Sequence, residues 1–136
     1  MDLPRIAIAT GDPAGIGPEI ALKAALDPRV AAVCRPLLVG DPAAVDAHAY
    51  PAGLSPHLSV IAKISDATWS NGAINLLDAG EGANAPLVFG KVDACYGRAS
   101  LAAARRAIQC ALSGEVEAVV AAPQTERSIA AAGIAF

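Results

Sequence analysis

Apolar residues along this chain come in short runs, separated by loops rich in Gly, Asp and Pro. Ile6 to Ala9 form the first run, which breaks into Thr10-Gly-Asp-Pro-Ala-Gly-Ile-Gly17 before Pro18 opens a helix-favouring segment from Glu19 to Leu26. The pattern predicts strand, loop, helix. Pro18 suits the first helical turn, where its missing N–H is no loss. Asp27-Pro28 ends the segment, because the residue before a Pro is pushed out of the α region. A second unit follows, with Pro36 to Gly40 as strand, Asp41 as N-cap and Pro42 at the first helical position. Leu58 to Ile64 and Ala73 to Asp78 read as further strands, and the Gly, Asn and Pro between Ala79 and Gly97 predict an exposed connection or flap. Arg98 to Ser113 reads as a helix ended by Gly114, with Leu101, Ala104, Ile108, Ala111 and Leu112 near one face. Arg98, Arg105, Arg106 and Gln109 fall largely on the other, solvated face. Val116 to Ala122 is apolar without alternation, as expected of a strand covered on both faces, and Pro123 ends it. Thr125 is placed to cap a last short helix, with Glu126 in its first turn and Gly133 at its end.

Strand alternating with helix predicts an α/β fold: a mostly parallel sheet flanked by helices, joined by right-handed crossovers. A length of 136 residues, 54% of them hydrophobic, suits one domain with a real core. The net charge is -3 and the basic residues are scattered singly, so the stripe expected of a nucleic-acid binder is missing. No apolar run approaches the roughly 18 to 20 residues of a membrane-spanning helix. Met-Asp-Leu-Pro-Arg passes almost directly into the first strand without the pattern of a signal peptide. Cys34, Cys95 and Cys110 are odd in number and lack C-x-x-C spacing, which suggests neither a disulfide framework nor a zinc site and fits a reducing cytoplasm. Cys110 falls in a helical pattern and reads as a small core residue.

In open parallel sheets, ligands sit beyond the carboxyl ends of the strands. Two loops qualify by sequence order, Thr10 to Gly17 and Pro123 to Arg127, and parallel strands would bring them to one edge. In the first loop, the free N–H groups at the start of the helix favour phosphate or carboxylate, and its glycines allow backbone shapes closed to other residues. The spacing G-x-x-x-G-x-G matches neither common phosphate-loop fingerprint, so a tight turn and a binding loop fit it equally. Asp12 can hold its turn, Glu19 can favour the first helical turn and Thr125 can act as a cap, each without touching a ligand. Gln124 and Arg127 follow a buried strand directly, and Arg suits anionic groups. His48 and His57 are nine residues apart, do not make a helical metal pair, and read as surface histidines.

Thr10-Gly-Asp-Pro-Ala-Gly-Ile-Gly-Pro-Glu19, then Gly90-Lys-Val with Gly97-Arg-Ala, then Ala118-Val-Val-Ala-Ala-Pro123 and Ala132-Gly-Ile134 come in an order that resembles the 4-hydroxythreonine-4-phosphate dehydrogenase family. The resemblance implies a two-lobed enzyme similar in fold to isocitrate and isopropylmalate dehydrogenases, of which residues 1–136 are the N-terminal part of the first lobe. It also implies a cytoplasmic homodimer of pyridoxal phosphate biosynthesis. Such an enzyme oxidises the secondary alcohol of 4-phosphohydroxythreonine with NAD or NADP, aided by a divalent metal (Zn, Mg or Co), and decarboxylates the product.

On this reading Gly11, Asp12, Gly15 and Gly17 bind the cofactor and Gln124, Thr125 and Arg127 bind a phosphorylated or carboxylated hydroxy acid. The family's metal-binding histidines and catalytic substrate segment map beyond residue 136, so no catalytic or metal residue is assigned, and this chain alone is expected to be inactive. Glu126 stands where many members have Lys. That points towards paralogues acting on a phthalate-type dihydrodiol or a sugar-acid phosphate, because an anion there weakens binding of another. A non-catalytic anion-binding α/β module is the remaining alternative.

Overall fold

A computed structural model describes residues 2–69, 72–82 and 86–135. At its centre β1 (Arg5–Ala9) lies between β2 (Arg35–Gly40) and β5 (Ala118–Ala121). Beyond β2 come β4 (Ile74–Asp78) and β3 (Leu58–Ile61), giving a five-stranded, fully parallel sheet in the order β3-β4-β2-β1-β5. The helices are α1 (Gly17–Leu26), the single turn α2 (Pro28–Ala31), α3 (Pro42–Ala49), α4 (Ala94–Leu112) and α5 (Glu126–Ala131). The local punctuation acts as the sequence predicts: Asp41 accepts from the Ala43 N–H at 3.0 Å, and Gly114 and Gly133 follow their helices at positive φ.

Each strand sends alternate side chains to opposite faces. Ala7, Ala9, Leu37, Val39 and Leu77 pack beneath Ala103, Ala107 and Cys110 of α4. Ile8, Leu38 and Leu76 pack beneath Ala21 and Leu22 of α1 and Val45 of α3. Because both faces are covered, β1, β2 and β4 need apolar residues at nearly every position, which is why their sequences run without alternation. Leu22, Leu37, Leu38, Leu76 and Leu77 are wholly buried, and removing such a side chain from water contributes about 2 kcal/mol.

Four expectations change. First, α4 begins at Ala94 rather than Arg98, because the Asp93 side chain accepts from the Cys95 N–H at 2.9 Å and caps the helix a turn early. The expected flap therefore shortens, and its residues 83–85 lie outside the described residues. Second, α4 buries its small side chains. Ala103, Ala107 and Cys110, spaced at helical intervals, pack on the sheet, whereas Ile108 and Leu112 are 50% and 84% exposed. The sheet below is already filled by Leu37, Val39 and Leu77, so a close-lying helix must offer small residues there. Third, β5 is the sheet edge. Val116 just before it is buried, but Val120 is 52% exposed, so residues 118–121 are not covered on both faces. Fourth, β3 stops at Ile61, and Ile64 starts a short 3₁₀ turn instead of extending the strand.

Candidate functional site

The carboxyl ends of β1 and β5 emerge side by side, because these strands pair directly and in parallel. Their loops touch. The Asp12 N–H donates to the Pro123 carbonyl at 3.1 Å, and Gly11 sits at φ +74°, where a Cβ would overlap that same carbonyl oxygen. A Cβ at Gly17 would likewise overlap the Thr10 carbonyl oxygen. The Asp12 carboxylate is 2% exposed and accepts from the Ala14 N–H at 2.8 Å, while the Asp12 carbonyl accepts from the Gly15 N–H at 3.1 Å. Thus Gly11, Asp12 and Gly17 set the shape of the loop from inside.

Gly15 differs. Its φ is not positive and its nearest neighbours, the Asp12 Cβ and carbonyl oxygen, would lie 3.6 Å from an added Cβ, an ordinary contact. Nothing among the described residues requires glycine there. Gly15 is half-exposed and leads into α1, whose N-cap position is held by Ile16 with no side-chain cap bond. The start of α1 therefore presents uncapped N–H groups beside a backbone segment that a ligand can approach closely.

Gln124 and Thr125 are half-buried and Arg127 is exposed, in the segment that leaves β5 and enters α5. Thr125 occupies the N-cap position of α5 but its side chain makes no cap bond, which corrects the expected capping role. Glu126 is exposed, and Arg127 makes no ion pair among the described residues.

A third segment joins these two loops. The Gly90 N–H donates to the Ala14 carbonyl at 2.7 Å, the Val88 N–H to the Tyr96 hydroxyl at 3.0 Å, and the Asp93 N–H to the Ser128 Oγ at 3.3 Å. Glycine at 97 lets α4 lie directly on the backbone of Ser128 and Ile129 in α5.

Asp93 binds this corner electrostatically. The Cys95 N–H it caps, followed by the Lys91 ammonium 3.1 Å away, holds its carboxyl at about 2, below the ordinary 3.8. A carboxyl depressed in the fold stabilises it above the ordinary value, and that contribution is lost as pH falls through the folded value. Acid unfolding followed by circular dichroism should therefore show wild type losing stability between about pH 3.8 and 2, and Asp93→Asn losing less over that window.

His48 corrects its predicted surface placement. It is 9% exposed, its Nε2 lies 2.7 Å from the Pro13 carbonyl oxygen, and its ring meets Phe89 at 4.6 Å between centroids, tilted by 51°. The buried side of α3 is Ala44, Val45, His48 and Ala49, so helical spacing from Val45 was the sequence signal for its inward position. His57 is exposed, as expected. Together His48, Phe89, Gly90, Gly15, Ile16 and Glu19 line a hollow of about 500 Å³ beside the loop.

Burial pushes the thiols of Cys34, Cys95 and Cys110 above the usual range, away from reactive thiolate. Among the described residues no group of three or more His, Cys, Asp or Glu is arranged to hold a metal ion. No helix among them is long and apolar enough to cross a membrane.

Similarity to known proteins follows the same layout. A Symbiobacterium thermophilum protein provisionally named D-threonate 4-phosphate dehydrogenase is 38% identical over 133 residues, covering 98% of this chain and 40% of that protein. A 4-hydroxythreonine-4-phosphate dehydrogenase of Trichlorobacter lovleyi is 36% identical over 96% of this chain and 39% of its own length. The crystal structure of a Burkholderia phymatum 4-hydroxythreonine-4-phosphate dehydrogenase superposes with a TM-score of 0.91 at 32% identity, over 98% of this chain and 40% of that one. The chain thus spans about 40% of the length of the relatives it matches. Residues 32–136 match the family model described as pyridoxal phosphate biosynthetic protein PdxA, and the chain belongs to that family.

Proposed function

We propose that residues 1–136 form the N-terminal part of the first lobe of a cytoplasmic, homodimeric, NAD(P)- and divalent-metal-dependent dehydrogenase. It oxidises the secondary alcohol of 4-phosphohydroxythreonine, and decarboxylation follows. The observation that carries the reading is the abutment of the loops after β1 and β5, joined by the Asp12 to Pro123 hydrogen bond. One rim thereby holds both an anion-favouring backbone and the exposed Arg127 guanidinium, which has no ion pair among the described residues.

The first N–H groups of α1 suit the pyrophosphate of a dinucleotide, because backbone donors and the helix dipole both favour negative charge, and Gly15, whose own N–H goes to the Asp12 carbonyl, leaves room for close approach. Gly11, Asp12 and Gly17 serve the same site by fixing the loop. Gln124 and Thr125 offer polar side chains to the substrate, and Arg127 offers a two-pronged donor for its phosphate or carboxylate. The bound nicotinamide would supply a hydride acceptor. Among the described residues no donor set fits a divalent metal, so no step is assigned to one here. Its ligands belong to positions outside residues 1–136.

A second reading is favoured by Glu126. Its carboxylate stands next to Arg127 at the start of α5 and opposes a second anion, and a relative named for D-threonate 4-phosphate is 38% identical. To decide, the full-length protein is offered 4-phosphohydroxythreonine, D-threonate 4-phosphate and a phthalate-type dihydrodiol with NAD or NADP, with and without divalent metal. Metal-dependent formation of reduced nicotinamide is expected with a phosphorylated substrate, and the fastest one names the activity. Phosphate binding with no dinucleotide binding or turnover would overturn the dehydrogenase reading in favour of an anion-binding module.

A further inference from the structure

We propose that His48 is a positioning residue: from α3 it fixes the Gly-rich loop in its ligand-ready shape and couples that loop to the segment around Phe89 and Gly90. This rests on the reading that the loop after β1 binds the dinucleotide.

The Pro13 and Ala14 carbonyls share rigid peptide planes with the Ala14 and Gly15 N–H groups, which Asp12 holds from the other side through its carboxylate and its carbonyl. Pro13 has no N–H with which to anchor itself. Its carbonyl is held by the His48 Nε2 at 2.7 Å, and the Ala14 carbonyl is held by the Gly90 N–H at the same distance. Both carbonyls are thus engaged by neighbouring elements, and the Gly15 peptide that follows is left half-exposed.

A carbonyl oxygen only accepts, so Nε2 must carry the proton and donate. Nδ1 is left without a protein partner among the described residues. The imidazole is otherwise enclosed by Phe89 on one side, 4.6 Å between ring centroids, and by the α3 packing that buries Val45 and Ala49. A buried ring with a single directed bond to a main-chain oxygen 35 positions away has no role in satisfying α3 itself. Its hydrogen bond instead transmits the position of α3 to the loop.

The chemistry of the bond selects the test. A glutamine side chain places an amide N–H about where Nε2 stands, whereas asparagine is too short to reach. His48→Ala, His48→Gln and His48→Asn are made in the full-length protein. Amide hydrogen exchange at Ala14 and Gly15 is then measured, and NAD and NADP are titrated calorimetrically.

His48→Ala and His48→Asn should speed exchange at these two amides about tenfold and weaken dinucleotide binding about tenfold, the loss of one well-placed hydrogen bond. His48→Gln should restore both to within about threefold of wild type. If His48→Ala does not fold, the contrast between Gln and Asn decides alone. Wild-type exchange and affinity in the Asn variant, or a Gln variant no better than Asn, would overturn the proposal. A wild-type protein that binds no dinucleotide would sink the functional reading instead, and the exchange contrast alone would then settle the role of His48.

Discussion

Gly11→Ala should destabilise the protein by about 2 to 5 kcal/mol in denaturant unfolding, and should abolish dinucleotide binding by the full-length protein. Two penalties add. A left-handed backbone at φ +74° costs a non-glycine residue about 1 to 2 kcal/mol. The new methyl would also drive into the Pro123 carbonyl oxygen, with the Ala122 carbonyl carbon and oxygen at 3.0 Å, all main-chain atoms that cannot swing aside. Overpacking of this kind adds about 1 to 3 kcal/mol. Relief requires the two loops to part, which breaks the Asp12 to Pro123 bond that sets the rim. Gly53 supplies the control: its φ is +72° but nothing lies within 4 Å of an added Cβ, so Gly53→Ala should show the backbone penalty alone. Equal losses at the two positions would show that the loops do not press on each other.

Gly97→Ala decides between two effects of opposite sign. Gly97 lies inside α4, where alanine is the better helix former by about 1 kcal/mol, so propensity alone predicts a more stable protein. The methyl, however, would overlap the Ser128 carbonyl group and approach the Ile129 nitrogen at 2.7 Å. We expect the clash to win, with a net loss of about 1 to 2 kcal/mol once the helix gain is subtracted, because α5 must be pushed off α4. That shift carries Arg127 with it, so weaker binding of inorganic phosphate or substrate should accompany the lost stability. A gain in thermal stability would refute the close α4 to α5 packing.

Much of this was legible in the sequence where a local rule decided the outcome. Pro18, Asp41, Gly114 and Gly133 mark helix boundaries because their effects on φ and on N–H groups act within a few residues. The pairing of the two site loops was legible because strand-helix alternation leaves few arrangements of a parallel sheet. What escaped were choices made by distant neighbours. The exposed Ile108 and Leu112 form the more hydrophobic stripe of α4, yet it is Ala103, Ala107 and Cys110 that meet the sheet beneath. His48 reads as solvated despite its helical spacing from the apolar Val45, because nothing nearby in sequence announces that the Pro13 carbonyl will be waiting for it. Gly11, Gly15 and Gly17 look alike in the sequence, but internal packing accounts for only the first and last.

The order of the strands has a kinetic side. β1 is complete within the first nine residues, yet its second neighbour, β5, begins at Ala118, and Arg5 meets Glu117 across 112 positions of chain. During synthesis the amino-terminal strand therefore waits, paired on one side only, until nearly the whole of this sequence has left the ribosome. The Pro123 carbonyl beneath the glycine loop arrives later still. Such distant pairings slow folding to milliseconds or longer, and a nascent chain stalled before Val116 would carry a bare, adhesive strand for chaperones to shield.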